Sequence, residues 1–211
     1  MLDTIRGVKG KMNVEKKMKC DPLHTFVTSD HHFGLWKVNT TPFHPPVFTQ
    51  AGEEEAISKW NSVVKPTDSV IYVGDFCDGD EADLMEYRKR LNGSIVLVKG
   101  NHDKLPDEVY ESVFQGVYKE LALEGLGLVL HHEPDIEGRA GVRQIYGHIH
   151  DENGLFCPPD PKTSFCSCVS RNDGFPTLLS DVLPKFARDD GCCSGIGRRI
   201  IGNKGKECWN V

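Results

Sequence analysis

Five short motifs contain the residues of this chain that are best suited to hold a metal ion. They are Asp30-His31-His32, Gly74-Asp75, Gly100-Asn101-His102-Asp103, His131-His132-Glu133-Pro134 and Gly147-His148-Ile149-His150. Carboxylate oxygens, imidazole nitrogens and an amide oxygen suit divalent ions such as Mn²⁺, Fe²⁺, Zn²⁺, Co²⁺ and Ni²⁺, and none of these motifs contains a cysteine. The motifs offer enough ligands for two metal ions.

The spacing within the motifs indicates how the ligands are grouped. One residue separates Asp30 from His32, and one residue separates His148 from His150. An extended backbone directs residues two positions apart to the same side, so each pair can bind one ion. Asp75 follows a buried strand, where a carboxylate needs partners, and bridging two cations would provide them.

Two adjacent metal ions suit hydrolysis at phosphorus. Ions about 3.5–4 Å apart share an activated water and stabilise both the attacking and the leaving oxygen of an in-line displacement. The leaving oxygen also needs a proton. His102 is the candidate general acid, and Asp103 is the candidate partner that orients its imidazole and stabilises its charge.

Short apolar segments precede the motifs and predict the strands that position them. We predict strands at residues 26–28, 69–73, 94–98, 126–130, 142–146 and 164–170, and helices at residues 53–64, 80–90, 107–114 and 178–186. This alternation predicts an α/β sheet that is at least partly parallel. In such sheets ligands bind beyond the carboxyl ends of the strands, which is where Asp30, Asp75, Asn101, His132 and His148 stand.

The motifs and their order resemble those of the calcineurin-like metallophosphoesterase superfamily, in its small single-domain bacterial and phage type. Residues 28–34, 42–43, 60–64 and 73–76 share the resemblance, which covers roughly residues 24–186. It implies an α/β fold built as a two-sheet β-sandwich flanked by helices in four layers, which would refine the simple open sheet.

The resemblance also implies a role for each candidate residue. Asp30, His32 and His150 would bind one metal ion, Asn101, His132 and His148 would bind the other, Asp75 would bridge them, and His102 would be the acid. His132 is preferred over His131 because it stands two residues before Pro134, as in relatives. The sequence departs slightly from the family pattern after the bridging aspartate, where it reads Gly74-Asp75-Phe76-Cys77-Asp78.

Composition limits the class of protein. The 211 residues have a formal net charge of −6, which argues weakly against a large nonspecific nucleic-acid surface. No apolar run approaches the ~20 residues that a membrane-spanning helix needs. The first residues lack the apolar segment of a secretory signal, so we expect a cytoplasmic protein that does not bind a membrane. The 8 cysteines are expected to be free thiols.

The chain is expected to have three parts. Residues 1–22 form a basic, flexible arm, residues 23–188 form the metallophosphoesterase domain, and residues 189–211 form a cysteine- and glycine-rich tail of unknown role. Mobile, solvated ends are the preferred interpretation of the basic residues near both termini.

These features predict a binuclear, metal-dependent hydrolase of phosphoester bonds, in which a metal-bound hydroxide attacks phosphorus and His102 protonates the leaving group. The expected cofactors are two divalent metal ions, with Mn²⁺ first and Fe, Zn, Ni, Co or Mg as alternatives. A chain of this size has no room for a large cap domain, so we expect an open site for small phosphodiesters, cyclic nucleotides or phosphomonoesters. Two other functions stay open. One is a nuclease that holds DNA or RNA with its basic tails. The other is a metal-bound interaction module without activity, although the His102–Asp103 pair argues against this module.

Overall fold

The structure of the chain is a computed structural model that describes residues 16–38, 49–135, 142–150, 160 and 162–186. In these ranges the strands are β1 (Lys17–Met18), β2 (Thr25–Thr28), β3 (Ser69–Tyr72), β4 (Ser94–Val98), β5 (Gly116–Tyr118), β6 (Leu121–Leu123), β7 (Leu128–Leu130), β8 (Arg143–Tyr146), β9 (Ser164–Cys166) and β10 (Thr177–Leu178). The helices are α1 (Leu35–Val38), α2 (Gln50–Val63), α3 (Glu81–Arg90), α4 (Asp107–Val113) and α5 (Leu179–Val182), with 3₁₀ turns at Val169–Arg171 and Leu183–Lys185. None of these helices is both long and apolar enough to cross a bilayer.

The strands form two mixed sheets of five strands each. One sheet has the order β10-β2-β3-β4-β5, in which only β10 is antiparallel to its neighbour. The other has the order β1-β6-β7-β8-β9, in which only the β6–β7 pair is antiparallel. The two-sheet α/β sandwich flanked by helices that the sequence predicts is confirmed.

Alternation along β3 explains why every residue of the strand after Ser69 is buried. Ile71 belongs to the apolar core that also contains Leu130 and Ile145 of the second sheet, whereas Tyr72 packs in the core that contains Trp60 of α2. Successive residues of a strand point to opposite faces, and here both faces are covered. The strand is therefore buried on both sides and ends at the carboxyl edge where Asp75 stands.

Side-chain caps fix where the two longest helices begin. Thr49 accepts a hydrogen bond from the Gly52 N–H at the start of α2, and Asp80 and Asp83 form a capping box at the start of α3. Such caps satisfy N–H groups that have no partner within the helix. The predicted helix at residues 80–90 is therefore present, with Asp80 as its cap.

Several short elements differ from those that the sequence predicts. Strand β1 lies in the segment predicted as an arm and pairs in parallel with β6, and β5, β6 and β10 were not predicted. The strand predicted at residues 164–170 ends at Cys166, and the helix predicted at 178–186 becomes a 3₁₀ turn where Pro184 removes a backbone donor. Residues 1–15 of the predicted arm and the whole predicted tail lie outside the described residues, whereas Cys20, Cys77, Cys166 and Cys168 lie inside them as free thiols.

Candidate metal centre

The strand ends of both sheets bring the predicted metal ligands together. Asp30, Asp75 and Asn101 follow β2, β3 and β4 of the first sheet. His132 follows β7, and His148 and His150 follow β8, both of the second sheet. The Gly147 N–H donates to the His132 carbonyl at 3.0 Å, and the Asp30 N–H donates to the Gly74 carbonyl at 3.0 Å, so backbone bonds join the loops.

One group of side chains surrounds His32. Its Nε2 lies 3.2 Å from His150 Nε2 and 3.6 Å from Asp75 Oδ2. His150 Nε2 lies 3.3 Å from Asp30 Oδ1. Ligand atoms about 2.0–2.2 Å from a shared ion are separated by about 3–3.5 Å at ordinary coordination angles, so these spacings fit one cation.

A second group surrounds His132. Its Nε2 lies 3.0 Å from Asn101 Oδ1 and 3.1 Å from Asp75 Oδ2. His148 Nδ1 lies 3.0 Å from the same Asn101 oxygen. The Asp75 Oδ2 atom therefore stands between the two groups, where a bridging carboxylate would have to be.

The electrostatics of the site favour positive charge. Burial alone would raise the pKa of Asp75, but the hydrogen bond and charge of His132 lower it to about 2. Burial alone would lower the pKa of His132, but Asp75 and Asp30 raise it to about 9. A divalent cation would meet the same demand for positive charge while leaving the imidazole neutral, so the donor set fits a metal centre.

Four candidate ligands have an unusual backbone conformation. The φ angle is 63° at Asp30, 49° at His32, 59° at Asp75 and 68° at His148. Residues other than glycine seldom adopt this left-handed conformation, which costs about 1–3 kcal/mol and is found most often at functional sites. Four such residues at one edge of the sandwich indicate a site that the surrounding structure holds under strain.

Two motif glycines allow the ligands to approach one another. A Cβ atom on Gly100 would lie 2.2 Å from Asp75 Oδ1, and one on Gly147 would lie 2.6 Å from Asp30 Oδ2. Any side chain at these positions would occupy the space that the carboxylates fill. The glycines of the motifs are therefore part of the geometry of the site.

Hydrogen bonds to Nδ1 leave the Nε2 atoms of two histidines facing the centre. His132 Nδ1 lies 2.8 Å from the Val73 carbonyl, and a carbonyl can only accept, so Nδ1 carries the proton. His32 Nδ1 lies 2.6 Å from Asp78 Oδ2. Partners of this kind fix the tautomer and orientation of histidine ligands.

Asp78 is the main site residue that the sequence analysis did not identify. Its Oδ2 binds His32 Nδ1 and its Oδ1 binds His102 Nδ1, each at 2.6 Å. Burial would raise the pKa of Asp78, but these two hydrogen bonds hold it below its ordinary value. Its position three residues after Asp75, at the end of the same motif, was the available signal.

The role predicted for Asp103 needs correction. Its carboxylate accepts the backbone N–H groups of Asp75, Phe76 and Gly100 at 2.9, 3.0 and 2.8 Å. These bonds use both carboxylate oxygens and stabilise the loops that carry the ligands. The orienting partner of His102 is Asp78 instead.

Two neighbouring residues complete the surroundings of the site. His31 is buried, stacks on Phe33 and bonds the Tyr72 hydroxyl at 2.8 Å, so it supports the loop from within the core. The buried Cys168 places its Sγ 3.6 Å from His150 Nδ1. No motif pointed to Cys168, because it becomes a neighbour only through the bridge between Ser29 and Cys168.

Comparison with known proteins establishes the family. Residues 23–151, more than half of the chain, match the family model of the calcineurin-like phosphoesterases, and the chain belongs to this family. An uncharacterised protein of Methanocaldococcus jannaschii is 27% identical over 129 residues, which are 59% of this chain and 68% of that protein. A crystal structure of a protein of unknown function from Aquifex aeolicus has a TM-score of 0.58 at 24% identity and covers 75% of this chain and 96% of its own, which shows a shared fold.

Membership of the family and the ligand clusters support a metal-dependent phosphoesterase.

Proposed function

We propose that this protein hydrolyses small or nucleotide phosphodiesters with two divalent metal ions, of which Mn²⁺ is the first choice. The observation that carries the proposal is the position of Asp75 Oδ2, which lies 3.6 Å from His32 Nε2 and 3.1 Å from His132 Nε2. One carboxylate thereby contacts both groups of candidate ligands. Phosphomonoesters are the competing substrate class that the assay below separates from diesters.

The proposed ligand sets follow the two groups. Asp30, His32 and His150 would hold one ion, Asn101, His132 and His148 would hold the other, and Asp75 would serve both. Bound ions supply positive charge to the phosphoryl oxygens and activate the attacking water.

The chain itself supplies the proton for the leaving oxygen. Asp78 accepts the His102 Nδ1 proton, so Nε2 is the nitrogen that can donate to a substrate. Asp78 thereby fixes the orientation of the imidazole that the proposed general acid needs. The His102 side chain is 37% exposed, so it can reach a substrate outside the buried ligands.

The backbone of the same loop connects the acid to the bridging carboxylate. The His102 N–H donates to Asp75 Oδ1 at 2.8 Å. This bond joins the loop after β4, which carries the proposed acid, to the loop after β3, which carries the proposed bridging carboxylate.

The test compares hydrolysis of bis-p-nitrophenyl phosphate and p-nitrophenyl phosphate with Mn²⁺ by the wild-type protein, Asp75→Asn, His102→Ala and the control His24→Ala. His24 has a side chain that is 69% exposed, and it immediately precedes β2, at the opposite end of that strand from Asp30. We expect Asp75→Asn to lose both turnover and bound metal, His102→Ala to lose turnover but keep metal, and His24→Ala to keep both. A wild-type protein that binds two metal ions per chain and hydrolyses neither ester would contradict the proposal.

A further inference from the structure

The two residues that directly follow β9, Ser167 and Cys168, lie against one of the two groups of candidate ligands. A parallel bridge pairs Cys168 with Ser29, and the Val169 N–H donates to the Ser29 carbonyl at 3.1 Å. Ser29 immediately precedes Asp30, so this pairing joins the edge of the second sheet to a ligand that follows β2 of the first. We call Ser167 and Cys168 the β9 segment.

Cys168 provides a hydrogen-bond partner for His150. Its buried Sγ lies 3.6 Å from His150 Nδ1. The other ring nitrogen, Nε2, is on the side of the proposed ion, because it lies 3.2 Å from His32 Nε2 and 3.3 Å from Asp30 Oδ1. An ion would take the lone pair of Nε2, so Nδ1 would carry the proton and donate it to the sulfur. Ser170 Oγ, 3.1 Å from the sulfur, can accept the thiol proton.

Ser167 reaches Asp30 through the hydroxyl of Ser29. Ser29 donates its only hydroxyl proton to Asp30 Oδ2, because an ionised carboxylate can only accept. Ser29 Oγ can then only accept from Ser167 Oγ, which lies 3.0 Å away. Both serines are buried, so water does not compete for these bonds. Since this chain holds Oδ2, the other oxygen of Asp30 stays 3.3 Å from His150 Nε2, on the side of the proposed ion.

We propose that the β9 segment positions two ligands of one metal ion: Cys168 orients His150, and Ser167, acting through Ser29, orients Asp30. The inference rests on the proposed function, because it takes the ligand sets from there. It adds positioning residues that no metal-ligand motif contains. Partners that fix the orientation of ligands in this way commonly change metal affinity by about 10- to 100-fold when they are removed.

The ligands of the other ion have different partners. Nδ1 of His132 lies 2.8 Å from the Val73 carbonyl, and Nδ1 of His148 lies 3.0 Å from Asn101 Oδ1. The β9 segment should therefore set the affinity for the ion at Asp30 and leave the affinity for the ion at Asn101 unchanged. This selectivity separates positioning of ligands from a general contribution to the fold.

The experiment measures Mn²⁺ binding, with free Mn²⁺ followed by electron paramagnetic resonance, so it does not depend on turnover. Two background variants separate the ions. Asn101→Ala removes a ligand of one ion and leaves the ion at Asp30 to be measured, whereas His150→Ala does the reverse. Cys168→Ala and Ser29→Ala are each added to both backgrounds, which gives a double-mutant cycle for each ion.

The controls match the substituted residue types and lie away from the site. Cys20→Ala changes a half-buried thiol that follows β1. Strand β1 runs parallel to β6 and so opposite to β7, which places Cys20 at the other end of the second sheet from His132. Ser62→Ala removes an exposed hydroxyl of α2 that donates to the Lys59 carbonyl. Thermal melting of each metal-free protein by circular dichroism checks that it is folded.

In the Asn101→Ala background we expect Cys168→Ala and Ser29→Ala each to raise the Kd for Mn²⁺ about tenfold. In the His150→Ala background the same substitutions should leave the Kd unchanged, and the controls should leave it unchanged in both. Ser29→Ala decides the question if Cys168→Ala does not fold. It leaves the Ser167 hydroxyl an acceptor, because the Tyr146 carbonyl lies 2.9 Å away.

Two results would overturn the inference while the proposed function stands. One is an unchanged Kd in both backgrounds, and the other is an equal loss of affinity in both. A wild-type protein that binds no Mn²⁺ would overturn the proposed function and this inference together. A protein that binds two ions with the expected selectivity and hydrolyses neither ester would contradict the proposed function alone.

Discussion

Replacing Asp78 with asparagine tests how one carboxylate serves two imidazoles. In the wild-type protein each carboxylate oxygen accepts one Nδ1 proton, from His32 and from His102, both at 2.6 Å. Asparagine keeps one acceptor oxygen and replaces the other with an NH₂ donor. Only one of the two histidines can then keep its Nδ1–H donation to an oxygen, and the other can at most accept from the NH₂ group through an unprotonated Nδ1.

Burial decides which bond is kept. The His32 side chain is 5% exposed and the His102 side chain is 37% exposed. An unmade hydrogen bond costs more where water cannot replace it, so the amide oxygen should face His32. Metal binding should then change little, whereas His102 loses a charge-assisted bond worth about 1.5–3 kcal/mol, which lowers kcat by about 10- to 150-fold.

The assay measures kcat and KM for bis-p-nitrophenyl phosphate at saturating Mn²⁺, together with the metal content of each protein. The control is Asp83→Asn, which removes a carboxylate that pairs with Lys37 at the surface. A kcat for Asp78→Asn within twofold of the wild type would refute the argument that Asp78 orients the acid. Loss of metal as large as in Asp75→Asn would refute the argument from burial.

Three further substitutions separate other parts of the structure. Gly100→Ala should release bound metal and abolish turnover, because the new Cβ would meet Asp75 Oδ1 at 2.2 Å. Circular dichroism should show little loss of secondary structure. A variant that keeps its full metal content would contradict this expectation. Asp103→Asn should lower the free energy of unfolding, measured by urea titration, by about 1.5–3 kcal/mol, because an amide cannot accept all three backbone N–H bonds. A loss of activity at unchanged stability would instead support the role beside His102 that the sequence predicts for Asp103. Glu53→Gln should lower the free energy of unfolding by about 1–3 kcal/mol, because the buried carboxylate accepts hydrogen bonds from Gly34, Trp36 and Tyr87. Unchanged stability would argue that these three hydrogen bonds do not stabilise the fold.

The sequence predicts the parts of the fold that have strong local signals. The apolar runs at 69–73 and 94–98 predict β3 and β4, and the cap at Asp80 predicts the start of α3. Short edge strands such as β1 and β10 contain only two residues each, so their pairing depends on neighbours distant in the chain. No local pattern can reveal such strands.

The candidate metal centre shows the same difference between local sequence signals and contacts that depend on residues distant in the chain. The residue types and the spacing inside each short motif predict which side chains come together at the site, because each of these signals lies within a few sequence positions. The partner of His102 could not be read in this way: Asp103 is adjacent in sequence, but its carboxylate turns toward the backbone of the Gly74–Asp75 loop. Asp78, 24 positions away, reaches the imidazole only because the strands β3 and β4 are paired.

Because the candidate ligands come from both sheets, metal binding would stabilise the folded protein as well as support catalysis. Asp30, Asp75 and Asn101 follow strands of one sheet, whereas His132, His148 and His150 follow strands of the other. A cation held by both sets would act as a cross-link at one end of the sandwich and would bind the folded chain in preference to the unfolded one. The melting temperature should then rise with Mn²⁺ concentration, by the equivalent of about 2.7 kcal/mol per site at a hundred times the dissociation constant. Metal supply would thus set how much of the protein stays folded, before any substrate is bound.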